Sequence, residues 1–204
     1  MIKILGIGPG DSKYLTYECL EAVKHCDYII GSKRQLESIS ELTSGKLIAY
    51  SGRLDDLSEK LKTALEKSSK VGLLASGDPS FYGISQWVYR TFPETEIEII
   101  NGIGSYQILF AKIGYPMHDI YMTSLHGREL SPKDLTLYKR MCLLTDNRYT
   151  PYRIAQMVLS EGHDPIVIIG ESLSYENEQI HTLRASEVVD RKYEMNVVIL
   201  DYER

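Results

Sequence analysis

The sequence lacks the features that mark membrane and secreted proteins. No stretch among its 204 residues approaches the roughly 20 consecutive apolar residues needed to cross a bilayer. Residues Met1 to Gly6 run directly into a strand pattern, without the cleavage region of a signal peptide. These absences predict a cytoplasmic protein.

Cysteine is scarce, and its three copies have no pairwise metal-ligand spacing. Cys19 and Cys142 lie in apolar runs, where cysteine usually serves as a small buried hydrophobic residue. His25 and Cys26 are neighbours at one helix edge rather than half of a zinc site. We therefore expect no bound metal.

No basic run is present either. The chain has 23 Lys and Arg against 28 Asp and Glu, interspersed along its length, for a net charge of −5. This balance disfavours nucleic-acid binding, which needs a basic face along the phosphate backbone. An acidic small molecule can still bind through locally placed Arg and Lys. The fifteen tyrosines are best interpreted as amphipathic packing at the core edge.

Short apolar runs alternate with amphipathic segments, and no internal repeat is visible. This alternation predicts α/β layers around a largely parallel sheet. The expected helices are Thr16–His25, Lys33–Leu42, Leu54–Lys67, Phe81–Thr91 and Ser105–Ile113. The expected strands are Ile2–Ile7, Tyr28–Ile30, Leu47–Tyr50, Val71–Ala75, Glu96–Ile100, Ile120–Thr123, Met141–Thr145, Pro165–Ile169, Gln179–Thr182 and Asn196–Asp201.

The pattern changes after Gly114-Tyr115-Pro116. The last third of the chain is richer in strands, and Tyr175–Thr182 is typical of one arm of an antiparallel pair. We therefore expect two domains: an N-terminal, mostly parallel α/β domain over residues 1–115, and a smaller mixed-sheet α/β domain over residues 118–204.

The first candidate site segment is Gly6-Ile7-Gly8-Pro9-Gly10-Asp11, directly after a strand. A dinucleotide fingerprint would have a third glycine where this chain has Asp11. A carboxylate there opposes a pyrophosphate, whereas the glycines still permit close backbone approach to a ligand. The segment indicates a ligand that is not a phosphate, or simply a tight turn before a helix.

The second segment is Ala75-Ser76-Gly77-Asp78-Pro79, which ends a buried strand. Ligands of open α/β sheets collect beyond the carboxyl ends of strands, so Asp78 is placed to accept hydrogen bonds from ammonium or hydroxyl groups. The alternative is that Asp78 caps a helix beginning near Phe81.

Two further turns carry candidate residues. Asn101-Gly102-Ile103-Gly104-Ser105 follows another strand and can line the same crevice as the first two turns. His126 and Arg128 lie on a turn after Thr123-Ser124, where binding residues often occur. A surface loop is the competing interpretation of the His-Gly-Arg turn.

In this order and spacing the segments resemble the tetrapyrrole methylases over most of the chain. The matching stretches are Gly6–Asp11 with Leu15-Thr16, Ala75–Pro79 with Phe81-Tyr82-Gly83, Gly102-Ile103 with Ser105, and Gly170-Glu171-Ser172-Leu173-Ser174-Tyr175. Gly31-Ser32-Lys33-Arg34, Ser124–Arg128 and the Leu-Ser-Tyr segment are similar to a branch that methylates the C5 meso carbon of cobalt-precorrin-7 in cobalamin biosynthesis.

The resemblance implies two α/β domains that hold S-adenosylmethionine in the cleft between them, commonly in a homodimer. By position, the cofactor contacts would come from Pro9, Ser76, Gly77, Asp78, Phe81, Gly104, Ser105 and Leu144. The macrocycle's carboxylates would meet Lys33, Arg34, His126 and Arg128, with Arg148 and Arg153 as further candidates. His126 is the one candidate for a catalytic role, and the methyl transfer itself asks mainly for orientation.

Two departures from the family pattern affect the expected site. The third motif usually reads Pro-Gly-Ile-Ser-Ser, and here Asn101 and Gly104 replace its first and fourth residues. The stretch after Tyr175 commonly reads Pro-Asp-Glu-Arg-Ile, and here it is Glu176 to Ile180 with glutamine at the arginine position. The second change puts an arginine-mediated substrate contact in doubt.

Several alternatives share this sequence pattern. They are another corrin-ring methylase, diphthine synthase, a ribosomal-RNA ribose methyltransferase and a non-catalytic module that binds S-adenosylmethionine. The charge balance disfavours the RNA enzyme. The length leaves no room for a fused decarboxylating domain, so we expect functional pairing with a separate C15-methyltransferase/decarboxylase.

Overall fold

The computed structural model describes residues 1–203, and within that range the chain forms ten strands and six α-helices. The strands are β1 (Ile2–Gly6), β2 (Tyr28–Gly31), β3 (Lys46–Ala49), β4 (Val71–Ala75), β5 (Ile97–Ile100), β6 (Tyr121–Ser124), β7 (Arg140–Leu144), β8 (Ile166–Glu171), β9 (Gln179–Arg184) and β10 (Asn196–Asp201). The helices are α1 (Tyr17–His25), α2 (Lys33–Glu37), α3 (Leu54–Leu65), α4 (Ser85–Thr91), α5 (Ser105–Ile113) and α6 (Pro151–Ser160).

The chain divides into two compact units, which we call the first unit (Met1–Gly104) and the second unit (from Ser105 onward). The expected ranges 1–115 and 118–204 assign α5 to the first domain, whereas its contacts assign it to the second unit. The reason is packing, since α5 lies against β10 and the hydroxyl of Tyr115, just after the helix, donates to the buried Asp201 carboxylate of that strand. In addition, any side chain at Gly170 would come within 2.8 Å of Leu109 of α5.

The first unit contains a five-stranded sheet in the order β3-β2-β4-β1-β5, with every pairing parallel. Strand β1, which lies between β4 and β5, pairs Ile4 with Leu73 on one side and Ile99 on the other. Ile2, Ile4 and Leu5 are completely buried, as expected where both faces of a parallel sheet are covered. The expected α/β class with a parallel sheet is confirmed.

The second unit contains a mixed five-stranded sheet in the order β6-β7-β10-β8-β9. Strands β6 and β7 are parallel, and β10 runs antiparallel to both β7 and β8. Strand β9 pairs antiparallel with β8, which confirms the expected antiparallel arm. The carboxyl ends of β6, β7 and β8 therefore lie at one edge of this sheet, together with the beginning of β10.

Strand positions agree with the sequence expectations to within about two residues, whereas helix lengths differ more. Helix α2 ends at Glu37 and is followed by a 3-10 turn, Ser40–Leu42, rather than running on. Helix α4 begins at Ser85, not near Phe81. Thr16 caps α1 as expected, its hydroxyl oxygen accepting from the Cys19 N–H at 3.1 Å.

Helix α6 was not among the expected helices, although its signals are present in the sequence. Thr150 caps it by accepting from the Arg153 N–H, Pro151 occupies its first turn, and Ile154, Ala155 and Val158 are buried. A capping residue, a proline and a spaced apolar face are the usual start of a helix. Within residues 1–203 no helix combines the length and apolar character that a membrane span requires.

Candidate functional site

Three turns of the first unit meet at the carboxyl edge of its sheet, because β1 lies between β4 and β5. The Gly77 N–H donates to the Gly8 carbonyl at 2.8 Å, and the Ile7 N–H donates to the Ala75 carbonyl at 3.0 Å. These bonds join the turn that carries Pro9 to the turn that carries Ser76. The edge is the position at which open α/β sheets bind ligands.

Two glycines are needed to bring these turns together. Gly77 has φ +67°, a left-handed conformation that other residues adopt only with strain. At Gly102 a Cβ would lie 2.5 Å from the Gly6 carbonyl oxygen, so only glycine fits. The third turn thus packs directly on the first, and the buried Gly104 follows two residues later. The result is a tightly packed edge in which Gly8, Pro9 and Gly104 are buried and Gly77 is half-buried.

The Ser76 side chain is connected to the start of α2. Its exposed hydroxyl oxygen accepts from Gln35 Nε2 at 3.1 Å and from Arg34 Nη2 at 3.3 Å. Lys33, which precedes Arg34, is exposed, and its Nζ lies 3.9 Å from Glu37 Oε1. The structure therefore brings the predicted substrate residue Arg34 against the predicted cofactor residue Ser76.

The role of Asp78 as a helix cap is not what the structure shows. Its Oδ1 accepts from the Ser80 N–H at 2.8 Å and from the Ser80 hydroxyl at 2.5 Å, well before α4 begins at Ser85. Through Oδ1 the carboxylate closes a local turn. Both hydrogen bonds from Ser80 end on this one oxygen. Asp78 is half-buried at the site edge.

Phe81 lies on the loop between Asp78 and α4 rather than on the helix. Its ring meets that of Tyr82 edge-on at 5.0 Å, and Tyr82 has φ +54°, an unusual conformation for a residue other than glycine. Backbone strain of this kind concentrates at functional sites. The loop surrounds a cavity of about 300 Å³ lined by Ser80, Phe81, Tyr82, Gly83, Ser85 and Gln86.

Asp11, the residue that argues against a pyrophosphate ligand, makes its contacts within its own turn. Its side chain accepts from the Lys13 N–H at 2.9 Å and forms an ion pair with Lys13 Nζ at 2.7 Å. The hydrogen bonds and charge of Lys13 hold the pKa of the Asp11 carboxyl below its usual value. The carboxylate beside Pro9 is therefore paired with the Lys13 ammonium group.

The second unit has its own cluster of polar groups, at the shared carboxyl edge of β6 and β7. The Leu125 N–H donates to the Leu144 carbonyl at 2.8 Å, so Leu144 and the turn with His126 are neighbours. His126 and Arg128 are both exposed on that turn. Ser105 begins α5 in the same unit and is half-buried.

Asp146 organises the loop after β7. It accepts from the N–H groups of Arg148 and Tyr149, each at 2.9 Å. Burial raises the pKa of Asp146, but these hydrogen bonds and the nearby His126 lower it more, so the net pKa lies below the usual value. Asp146 was not among the expected site residues, although an Asp two residues past a strand was a visible signal.

Two arginines flank the buried Tyr149 ring. The guanidinium of Arg153 lies 4.9 Å from the ring centre and that of Arg148 lies 5.7 Å away. Arg148 also forms an ion pair with Glu129, and Arg153 donates to the Arg148 carbonyl at 3.1 Å. The structure thus groups Arg148 and Arg153 near the turn that carries His126 and Arg128.

A second unexpected feature follows β8. Glu171 is only 4% exposed and accepts from both terminal nitrogens of Arg191 and from the Glu194 N–H. The turn after it holds Ser172 at φ +48° and Ser174 at φ +78°. Burial raises the pKa of Glu171. The hydrogen bonds from Arg191 and Glu194 lower it by more, so its net pKa lies below the usual value. Arg191 gave no recognisable signal in the sequence.

The three cysteines are buried, and burial raises the pKa of the Cys26 thiol to about 11. Cysteine chemistry through a thiolate is therefore disfavoured. Within the described residues no group of three or more His, Cys, Asp or Glu is arranged to hold a metal ion.

Comparison with known proteins identifies the family. The profile of the family described as "Tetrapyrrole (Corrin/Porphyrin) Methylases" matches residues 1–189. The chain belongs to the tetrapyrrole methylases. The resemblance read from the glycine turns is thereby confirmed, and this methylase has the fold expected of the family.

Individual relatives are similar over the whole chain. Cobalt-precorrin-7 C(5)-methyltransferase of Salmonella typhimurium is 35% identical over 205 residues, covering 100% of both chains. A probable cobalt-precorrin-7 C(5)-methyltransferase of Methanocaldococcus jannaschii is 33% identical, covering 93% of this methylase and 92% of the relative.

A solved structure has the same fold. Uroporphyrin-III C-methyl transferase from Thermus thermophilus, complexed with S-adenyl homocysteine, superimposes with a TM-score of 0.79 at 19% identity, covering 98% of this methylase and 96% of the other chain. At that identity the match concerns the fold alone.

Proposed function

We propose that this methylase is an S-adenosylmethionine-dependent C-methyltransferase that acts on the C5 meso carbon of cobalt-precorrin-7 in cobalamin biosynthesis. The observation that carries the proposal is the full-length similarity, at 35% identity, to a relative with that named activity. The glycine turns at the carboxyl edge of the first sheet support it, since they bring backbone together at the edge where open α/β sheets bind ligands.

The groups at this edge of the first sheet suit S-adenosylmethionine. A ligand can pack closely against the half-buried Gly77, which has no side chain, and the Asp78 carboxylate can accept from an ammonium or hydroxyl group. We assign the cofactor contacts to Pro9, Ser76, Gly77, Asp78, Phe81, Gly104, Ser105 and Leu144. When bound, S-adenosylmethionine supplies the electrophilic methyl group, and the protein's task is to orient it and exclude water.

The substrate is a corrinoid with peripheral carboxylates, and cations are needed to hold them. We assign this role to Lys33, Arg34, His126 and Arg128, with Arg148 and Arg153 beside them. Guanidinium–carboxylate pairs combine charge with fixed geometry. His126 is the candidate for holding a proton or a carboxylate near the reacting carbon, and it lies close to the Asp146 carboxylate.

The proposal also covers the cellular location, the oligomeric state and a partner enzyme. We propose that the protein works as a cytoplasmic homodimer and that a separate C15-methyltransferase/decarboxylase performs the paired modification. Another corrin-ring methylase of this fold, or a non-catalytic module that binds S-adenosylmethionine, are the alternative functions.

One assay separates these functions. The protein is incubated with S-adenosylmethionine and cobalt-precorrin-7, and the product is analysed by mass spectrometry for one added methyl group at C5. Methylation at another carbon supports a different corrin-ring methylase. Cofactor binding with no turnover on any tetrapyrrole supports the binding module.

The cofactor role of Asp78 has its own test. Asp78→Ala is expected to weaken binding of S-adenosylhomocysteine about tenfold, because a charge-assisted hydrogen bond is lost, while unfolding stays cooperative. Calorimetric titration gives the dissociation constant. Asp190→Ala, an exposed aspartate in the second unit, is the matched control with unchanged binding. An unchanged constant for Asp78→Ala would show that this carboxylate only closes the Ser80 turn.

A further inference from the structure

The first turn of α2 fixes which end of the Gln35 amide faces the cofactor turn. Gln35 Oε1 accepts from the Ser32 N–H at 2.8 Å, while the Ser32 hydroxyl accepts from the Gln35 N–H at 3.4 Å. This reciprocal pair is a capping box. Because the oxygen end is occupied by Ser32, the nitrogen end points toward Ser76, and an amide nitrogen can only donate.

The Ser76 hydroxyl receives two donors from this turn. Gln35 Nε2 lies 3.1 Å from Ser76 Oγ and Arg34 Nη2 lies 3.3 Å from it. A hydroxyl has two acceptor lone pairs and one hydrogen to donate. With both lone pairs occupied, the hydrogen is directed away from α2. Ser76 is exposed, so this hydrogen is available to a ligand.

We propose that Gln35 and Arg34 are positioning residues that hold the Ser76 hydroxyl as a hydrogen-bond donor toward an acceptor atom of bound S-adenosylmethionine. The proposal rests on the cofactor site proposed above. The acceptor class comprises the cofactor's carboxylate, ribose oxygens and adenine ring nitrogens, whereas its ammonium group is excluded. The turn then presents opposite polarities side by side: a donor at Ser76 and an acceptor at Asp78.

The variant Gln35→Glu reverses the polarity with little change in size. One carboxylate oxygen of the new side chain still accepts from the Ser32 N–H, so the capping box survives. The other oxygen faces Ser76 and takes its hydrogen, which turns a hydroxyl lone pair toward the ligand's acceptor. We expect the dissociation constant for S-adenosylhomocysteine to rise about tenfold, as a hydrogen bond is exchanged for a repulsion.

The variant Ser76→Ala separates this effect from the added charge. Removing the hydroxyl alone is expected to weaken S-adenosylhomocysteine binding about fivefold, the usual range for one lost hydrogen bond. In the Ser76→Ala background, Gln35→Glu should then add less than about twofold, because its target is gone. Glu37→Gln, on the same helix but without a bond to Ser76, is the control with unchanged binding.

The measurements are calorimetric titration with S-adenosylhomocysteine and thermal unfolding of every variant. Non-additive losses of affinity at unchanged melting temperature support the positioning role. If Gln35→Glu weakens binding equally with and without Ser76, the charge acts directly and the proposal is overturned. It is also overturned if the variants shift only the melting temperature. If the unaltered protein does not bind S-adenosylhomocysteine, the proposed function fails, and this inference fails with it.

Discussion

The two units differ in the residues that hold the loops at the carboxyl edges of their sheets. In the first unit the sheet is entirely parallel, and the site edge consists of glycine turns with few charged contacts. In the second unit the sheet is mixed, and its edge is held by charged side chains such as Glu171, Arg191 and Asp146. The comparison shows that close backbone packing and ionic hydrogen bonding are alternative ways to fix loops at a strand end.

Sheet direction explains the difference. In a parallel sheet every strand delivers its following turn to one edge, so several turns crowd together and need residues without side chains. In the mixed sheet β10 and β9 run the other way, and fewer turns share the edge. The space left is filled by long side chains that must be paired when buried. The three predictions below test this contrast, beginning with the largest expected effect.

Gly102→Ala should damage the first unit strongly. Its new Cβ would lie 2.5 Å from the Gly6 carbonyl oxygen, so the turns must separate. We expect a loss of about 3 kcal/mol in the free energy of unfolding, together with loss of S-adenosylhomocysteine binding. The control is Gly162→Ala in the second unit, where φ is +80° but no atom lies within 4 Å; its expected cost is about 1 kcal/mol. Equal losses in denaturant unfolding would remove the contrast.

Arg191→Met should damage the second unit by leaving the Glu171 carboxylate without its main partner. We expect a loss of about 2 kcal/mol, below the full cost of breaking a buried pair because water reaches the partly exposed Arg191. S-adenosylhomocysteine binding to the first unit's turns is the second readout. A variant as stable as the unaltered protein would show that the pair does not hold this edge.

The same pair makes stability depend on pH. Because the folded pKa of Glu171 is lowered, its contribution is fully present above its unfolded pKa of about 4.3. It is lost as pH falls through the lower folded value. The free energy of unfolding, measured from pH 3 to 7, should therefore fall less steeply with acidification in Glu171→Gln than in the unaltered protein. Identical slopes would contradict the assignment.

Much of the fold could be predicted from local patterns. All ten strands were recognisable as short apolar runs between turns, and Thr16 was recognisable as a helix cap. The limits of α2 and α4 were less accessible, because their apolar periodicity continues past Glu37 and begins before Ser85. Helix α6 was not predicted, although the Thr150-Pro151 start and the spaced apolar residues after it are local signals of a helix.

The site residues, like the elements of the fold, include some that the sequence could predict and others that it could not. The turns that carry Pro9, Ser76 and Gly104 were visible because glycine and aspartate after a strand are a local signal. The partners of those turns were not visible, since Gln35 reaches Ser76 across 41 positions of sequence. Arg191 reaches Glu171 across 20 positions.

The sequence by itself determined the alternating α/β order, the family and the turns that approach a ligand, because each depends on residues close together in the chain. Only the tertiary structure decided that β1 lies between β4 and β5, and therefore that the Gly8, Gly77 and Gly102 turns meet. It also decided the hydrogen-bond polarity of the Ser76 hydroxyl. Strand order and side-chain partners depend on packing between distant segments, which no local pattern records.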